Sequence, residues 1–238
     1  MINFFRKKRK KMADNNNTLK YARYAIGEIV LVVIGILIAL SINNWNSQNK
    51  DRKYEKEILH LINQNLVNDS ISLTRELNTA KNSNEASELL IEQLNSGIIN
   101  DSLNFLMGQI ITFERFKSTS SAFEVLKAKG IETISNKELQ LALITYYDEN
   151  LFKVYQSLND VELSFKTDWM PIIKYNFKDF KWRKYSIPTD SEKFFNNPST
   201  ITLFKIFKDN RLGTIRNIEL ALLKISEVRA LSKKSQKD

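Results

Sequence analysis

The chain of 238 residues contains no cysteine, which excludes disulfide bonds, thiolate metal ligands and a cysteine nucleophile. It contains a single histidine, His60. Glu57 and His60 have the spacing of one Glu-x-x-His pair, but a di-iron helical bundle needs a second such pair. A histidine-rich zinc site is excluded for the same reason. We therefore predict no metal site and no cofactor.

Glycine and proline are also scarce, with six and three residues. Sandwiches and barrels need frequent turn residues, so this composition favours long helices. The sequence has no G-x-S-x-G, Walker or G-x-G-x-x-G motif, and we predict no catalytic residue. An enzyme is not expected, although paired carboxylates of a hydrolase would be invisible before the fold is known.

The formal net charge of +9 is concentrated near the N-terminus. Residues 1–24 hold eight Lys or Arg and one acidic residue, whereas residues 43–238 hold 28 basic and 25 acidic residues. This distribution predicts a basic cytoplasmic arm over residues 1–24. It fits the positive-inside rule of membrane topology, and no nucleic-acid partner is predicted.

The segment from Ala25 to Ile42 is apolar or small except at Glu28. From Tyr24 to Trp45 a helix would rise roughly 31 Å, close to the thickness of a hydrocarbon core. Aromatic residues expected at the membrane interfaces flank it, namely Tyr21, Tyr24 and Trp45. Residues 25–45 are therefore predicted to form a transmembrane helix in contact with membrane lipid.

A signal anchor is favoured over a cleavable signal peptide, because the apolar run exceeds the usual ~7–15-residue hydrophobic region. Cleavage after Ala39-Leu40-Ser41 remains the alternative. The charge bias places the N-terminus in the cytoplasm and residues 46–232 in the periplasm, on the outer side of the inner membrane.

Three residues of the apolar segment suggest helix pairing: Glu28, Gly35 and Ala39. Gly35 and Ala39 form a small-xxx-small pair, and Glu28 lies seven residues earlier on nearly the same face. This pattern predicts a homo-oligomer or a partner membrane protein. For Glu28 two environments stay open, a polar group on a neighbouring helix and interfacial water.

Apolar periodicity predicts an extracytoplasmic helical domain over residues 46–232 and a disordered tail over residues 233–238. One stripe runs from Ile58 to Leu94 and another from Leu139 to Phe165. The predicted starts of helices are capping boxes at Ser121–Glu124 and Ser135–Glu138 and a proline start at Asn197-Pro198. The expected fold is all-α: a single N-terminal transmembrane helix followed by an antiparallel helical bundle, without a β-hairpin.

The stretch from Lys174 to Tyr185 combines five aromatic and five basic residues with one acidic residue. One interpretation is an exposed patch for an anionic surface, formed by Lys178, Lys181, Trp182, Arg183 and Lys184. The other is a connector whose aromatic rings cover the end of the bundle core while the cations stay solvated. The connector is favoured, because buried aromatic residues are common in such segments.

The stretch YAIGEIVLVVIGILIALSINNWN, which follows the basic start FFRKKRKK, resembles the anchor of a family of small flavobacterial single-pass membrane proteins of unknown function. Residues 128–135 and 143–147 are similar to later parts of that family. The resemblance implies a one-pass membrane protein with a helical extracytoplasmic domain, and it implies no activity. We therefore expect a structural or protein-interaction module, with a membrane-anchored ligand-binding sensor that works through a partner protein as the alternative.

Overall fold

The structure, a computed structural model, describes the backbone of residues 18–235 and the side chains of residues 22–235. Most of the predicted basic arm, the Tyr21 side chain and residues 236–238 of the predicted tail lie outside the described residues.

Eight α-helices and one β-hairpin make up the described part of the chain. The helices are α1 (Thr18–Asn95), α2 (Ser102–Ile110), α3 (Ser121–Lys129), α4 (Lys137–Ile144), α5 (Leu151–Ser164), α6 (Met170–Asn176), α7 (Ser191–Phe195) and α8 (Pro198–Ser235). Two π-helical turns, Thr145–Asn150 and Phe165–Trp169, join α4 to α5 and α5 to α6, and a 3₁₀ turn spans Ile131–Thr133. Strands β1 (Phe177–Lys181) and β2 (Tyr185–Pro188) form the antiparallel hairpin.

The chain divides after Tyr54 into two compact units, and the second unit is a helical bundle. Within it, α8 runs antiparallel to α1, as shown by contacts of Asn63 with Arg229 and of Glu88 with Lys208. It is also antiparallel to α5, where Thr214 donates a hydrogen bond to the Ser157 carbonyl. The α1 and α4–α5 helices run in the same direction, because α2 and α3 lead the chain back between them.

The core of this bundle explains why these segments are helical. Residues at alternating spacings of three and four along α8 are all buried: Phe204, Phe207, Arg211, Thr214, Ile218, Ala221, Ile225, Val228 and Ser232. That spacing keeps one face of a helix against its neighbours. A continuous apolar cluster joins α1, α2, α5 and α8 around Trp169, Phe204 and Phe207.

The all-α prediction is confirmed. Every residue of the stripe predicted between Leu139 and Phe165 is buried, whereas Leu61 and Leu89 of the earlier stripe are about half exposed. Helix α8 continues to Ser235, three residues into the segment predicted as a tail. The cap of α4 is Asn136 rather than Ser135, since the Asn136 side chain accepts from the Leu139 N–H at 3.0 Å.

The hairpin was not expected, and that expectation is wrong. Its aromatic residues are three and two positions apart, a spacing that does not follow the two-residue period of a strand. A register shift between Phe177 and Asp179 accounts for this irregularity. Helix α2 packs against β2 so closely that a Cβ on Gly108 would lie 2.3 Å from the Tyr185 backbone nitrogen.

Candidate functional site

The apolar segment of α1 exposes its side chains on every face within the described structure. From Ile26 to Ile42 each large apolar residue is between 47 and 73 % exposed. An 18-residue window of this helix has a mean hydropathy of 2.8 with none of it buried. Helices that are apolar all round are stable only inside a large core or a membrane. The helix is therefore long and apolar enough to serve as a membrane anchor.

The residues predicted to pair helices lie on this exposed segment. A Cβ placed on Gly35 would meet no atom within 4 Å. Ala39 is exposed, while Glu28 and Tyr24 are half-buried and Trp45 is 66 % exposed. The surface around Gly35 is thus open for close approach by another helix.

The aromatic residues of the hairpin pack onto the bundle. The Trp182 ring lies 5.1 Å from the Phe113 ring and 5.1 Å from the Phe165 ring, edge-on to both. Phe177 and Phe180 also pack against the apolar cluster. Edge-to-face contacts at this distance are favourable, so the aromatic part of the predicted patch stabilises the docking of the hairpin.

The basic residues of the same hairpin project outward. Lys178, Lys181, Arg183 and Lys184 are all exposed. Arg183 has a φ of 58°, and its guanidinium donates to the Phe113 carbonyl at 3.3 Å. The stretch therefore combines the two interpretations drawn from the sequence: its rings cover the core and its cations form a basic surface.

A buried ion pair joins α8 to the loop after α2. Arg211 and Glu114 have fully buried side chains, with 3.3 Å between the Arg211 Nη2 and the Glu114 Oε1. The Arg211 guanidinium also donates to the carbonyls of Ile110 at 3.0 Å and Thr112 at 2.8 Å. Burial lowers the pKa of Arg211, and the Glu114 carboxylate opposes that shift. Neither Glu114 oxygen has a hydrogen-bond partner within the described chain, so the ion pair with Arg211 is the contact that stabilises this buried carboxylate.

Glu76 on α1 belongs to the same charged cluster. Burial raises the pKa of Glu76, and the nearby Glu114 carboxylate raises it further, whereas Arg183 lowers it. The cluster therefore brings together α1, the loop after α2, the hairpin and α8. These charged contacts connect the four elements within the bundle.

A second buried carboxylate, Asp69, holds α1 to the segment between α2 and α3 and to the first π-helical turn. It is 1 % exposed and accepts hydrogen bonds from the Ser118 hydroxyl, the Thr119 N–H at 2.8 Å and the Tyr146 hydroxyl at 2.7 Å. Burial, reinforced by the Asp69 charge, raises the pKa of Tyr146 well above its ordinary value. Tyr146 therefore stays a neutral donor, and three donors satisfy the Asp69 carboxylate.

The π-helical turn explains how Tyr146 and Tyr147 are both buried although they are adjacent in sequence. A π-helical turn accommodates an extra residue, so consecutive side chains can face one side. The Tyr147 ring stacks on Phe123 with 4.2 Å between centroids. Burial raises the pKa of Tyr147 as well.

Sequence reasoning missed both buried charged sites, although the sequence carried a signal for each. Arg211 stands within the heptad-like series Phe204, Phe207, Thr214 and Ile218. Asp69 occupies the gap between Leu66 and Leu73 in the apolar stripe of α1. A charged residue at a core position of a periodic stripe predicts a buried partner, because an unpaired buried charge is too costly.

Within the described part of the chain, Glu57 and His60 are not joined by further candidate metal ligands. His60 is exposed, and its Nε2 lies 3.2 Å from the Gln64 amide nitrogen. Among residues 22–235, no group of three or more His, Asp or Glu side chains could hold a metal ion.

An open cleft of about 500 Å³ lies where α6, α7 and α8 meet. Its apolar floor consists of Ile172, Phe194 and Leu203, and its rim is polar. Thr200 lines the cleft and is 6 % exposed, whereas Lys193 on the rim is exposed. The volume falls within the range of small-molecule sites, roughly 300–1,000 Å³.

No curated protein and no solved structure significantly matches this chain. One protein-family model matches, covering residues 28–167, which is more than half of the chain and includes most of the apolar segment and the Asp69 site. The chain therefore belongs to the family of unknown function designated DUF6090.

Proposed function

We propose that this member of the family is a single-pass inner-membrane protein and that its helical domain is a structural or protein-interaction module in the periplasm. Residues 25–45 are the uncleaved transmembrane anchor. The observation that carries the proposal is the exposure of every large apolar side chain between Ile26 and Ile42. In water this surface would be unstable, whereas in lipid it matches the solvent.

The orientation rests on charge. Eight Lys or Arg precede the anchor, and the stretch of similar length after it carries basic residues mixed with acidic ones. Such a bias retains the N-terminal side in the cytoplasm. The anchor sequence resembles those of flavobacterial proteins. Flavobacterial cells have an inner membrane and a periplasm, which are the two compartments that this orientation requires.

The absence of cysteine allows a direct topology test. Single cysteines at Asn16 and at the exposed Lys205 would be treated with a membrane-impermeant maleimide in intact spheroplasts. We expect labelling of the Lys205→Cys variant in spheroplasts and of the Asn16→Cys variant only after lysis. The opposite pattern would reject the orientation, and a mature mass lacking residues 1–41 would reject the uncleaved anchor.

The interaction role is tested through the anchor itself. Gly35→Ile should weaken association in an in-membrane dimerisation assay or in crosslinking, because the larger side chain blocks close helix approach. Gly27→Ile is the matched control, since a Cβ at Gly27 also meets no atom within 4 Å but Gly27 lies about 80° away around the helix. Equal association in both variants and the native protein would argue against pairing through Gly35.

The cleft between α6 and α8 favours one second candidate, a ligand-binding sensor that acts through a partner protein. Its apolar floor and polar rim are the usual lining of a small-molecule site. Native mass spectrometry of the protein purified from its own membrane would show a retained small molecule. Leu203→Trp, which fills the cleft, should remove that mass, and a ligand-free native spectrum would count against the sensor.

A further inference from the structure

We propose that the hairpin Phe177–Pro188 is the docking surface for an acidic segment of a partner protein. This inference rests on the proposed interaction function and names the surface and the chemistry of the partner.

The first argument is the distribution of charge in the helical unit. Residues 55–238 hold 25 basic and 24 acidic residues, and the hairpin contributes four of the basic and one of the acidic residues. The rest of the unit is therefore slightly acidic, with 21 basic and 23 acidic residues. A local excess of +3 within twelve residues stands against a background of the opposite sign, and such a surface attracts an acidic partner.

The second argument is that these cations are free to meet a partner. Lys178, Lys181 and Lys184 are exposed, and none of them forms an ion pair with a carboxylate of the described residues. Other exposed cations are already paired, as Arg115 is with Glu162 at 2.6 Å. Exposed cations without a partner keep their full attraction for an incoming carboxylate.

The third argument is that the surface is held in place. Trp182 packs on Phe113 and Phe165, and the Arg183 guanidinium donates a hydrogen bond to the Phe113 carbonyl. The strand after the turn lies against Gly108 of α2. Pre-organised side chains lose less entropy on binding.

An acidic protein segment fits this surface better than a lipid bilayer does. A membrane-binding loop offers apolar side chains for insertion, whereas Phe177 and Phe180 of the hairpin pack against the bundle core. Trp182 remains 38 % exposed beside Arg183, and tryptophan and arginine are enriched among the residues that dominate protein interfaces.

The test uses the full-length protein in detergent and a fluorescein-labelled peptide of ten glutamates, with binding followed by fluorescence anisotropy. The charge-reversal variant is Lys178→Glu, Lys181→Glu, Lys184→Glu. The control variant is Lys137→Glu, Lys153→Glu, Lys205→Glu, which makes the same change in charge at three other exposed lysines that form no ion pair within residues 22–235. We expect at least a tenfold loss of affinity for the hairpin variant and less than a threefold loss for the control, with binding of the native protein weakened by added salt.

Equal losses in the two variants would overturn the proposal, because net charge alone would then explain binding. So would binding to phosphatidylglycerol vesicles without binding to the glutamate peptide, which would make the membrane the ligand. No binding at all would mean that the lysines only protect a strand edge from aggregation, as edge lysines often do. If charge reversal changes the circular dichroism spectrum, the variant Lys178→Gln, Lys181→Gln, Lys184→Gln replaces it in the binding measurement. Failure here with retained crosslinking through the anchor would leave the proposed function intact and remove only this surface.

Discussion

Tyr146 and Tyr147 are adjacent and both buried, yet only the Tyr146 hydroxyl has a hydrogen-bond partner within the described structure. Tyr146→Phe removes a donor to the buried Asp69 carboxylate, and hydrogen bonds to charged groups contribute about 1.5–3 kcal/mol. We expect the free energy of unfolding to fall by about that amount, measured by urea unfolding of the detergent-solubilised protein.

Tyr147→Phe is the matched control for Tyr146→Phe. It keeps the ring that stacks on Phe123 and removes a hydroxyl that has no partner. The free energy of unfolding should change by less than about 0.5 kcal/mol or rise slightly, since an unsatisfied buried hydroxyl is removed. Equal losses in the two variants would show that ring packing, not the Asp69 hydrogen bond, determines stability at this site.

Arg211 and Glu114 form the second prediction at the residue scale. Arg211→Met removes the ion-pair partner of the buried Glu114 carboxylate and one donor to each of the Ile110 and Thr112 carbonyls. Removing one partner of a buried pair costs about 3–5 kcal/mol. The double variant Arg211→Met, Glu114→Leu should recover part of that loss, because the remaining buried charge is removed as well. Strictly additive losses in a double-mutant cycle would contradict the pairing.

At the scale of elements, the contact between α2 and the hairpin makes a sharp prediction at Gly108. A Cβ there would lie 2.3 Å from a backbone atom of β2, which a rotamer change cannot relieve. Gly108→Ala should lower the free energy of unfolding by about 1–3 kcal/mol, as overpacking commonly does.

Gly213 in α8 provides the matched control, because a Cβ there meets no atom within 4 Å. Alanine is favoured over glycine inside a helix, so Gly213→Ala should raise the free energy of unfolding by up to about 1 kcal/mol. Thermal unfolding followed by circular dichroism would separate the two variants. A stable Gly108→Ala protein would mean that the hairpin can move away from α2.

The long helices of the bundle were predictable from sequence where an apolar face recurs with a helical period, as it does from Leu139 to Phe165. The stripe from Leu139 to Phe165 kept that face through a π-helical turn, since Tyr146 and Tyr147 are both apolar enough to bury. The hairpin was not predictable in the same way. The Trp182 ring packs on Phe113 and Phe165, which are distant in sequence, and local periodicity does not report such contacts.

The buried charges show a related limit. Arg211 lies on the buried face of α8, but only the fold reveals that Glu114 lies opposite it, 97 residues earlier in the chain. The same holds for Asp69, whose donors come from two later segments. Tertiary contacts between distant segments therefore decide which polar groups meet in the core, and local sequence patterns do not report those contacts.

At the scale of the whole molecule, the apolar segment of α1 should decide where the protein resides. Val33 and Leu37 are exposed on one face near the middle of that segment. An arginine at the centre of a transmembrane helix costs about 2.5–3.5 kcal/mol, so Val33→Arg, Leu37→Arg should prevent stable insertion. We expect the native protein to remain in the membrane pellet after alkaline carbonate extraction and the double variant to be released or degraded.

A pair of arginines on the helical domain controls for charge alone. Leu220 and Leu223 on α8 are exposed, so Leu220→Arg, Leu223→Arg adds the same charge without touching the apolar segment. This variant should stay in the pellet, because the proposed membrane attachment depends on residues 25–45 and not on net charge. Release of the native protein by carbonate, or retention of the Val33→Arg, Leu37→Arg variant, would show that the segment does not span a bilayer. In that case its exposed apolar faces would need a protein partner of their own, since water cannot stabilise them.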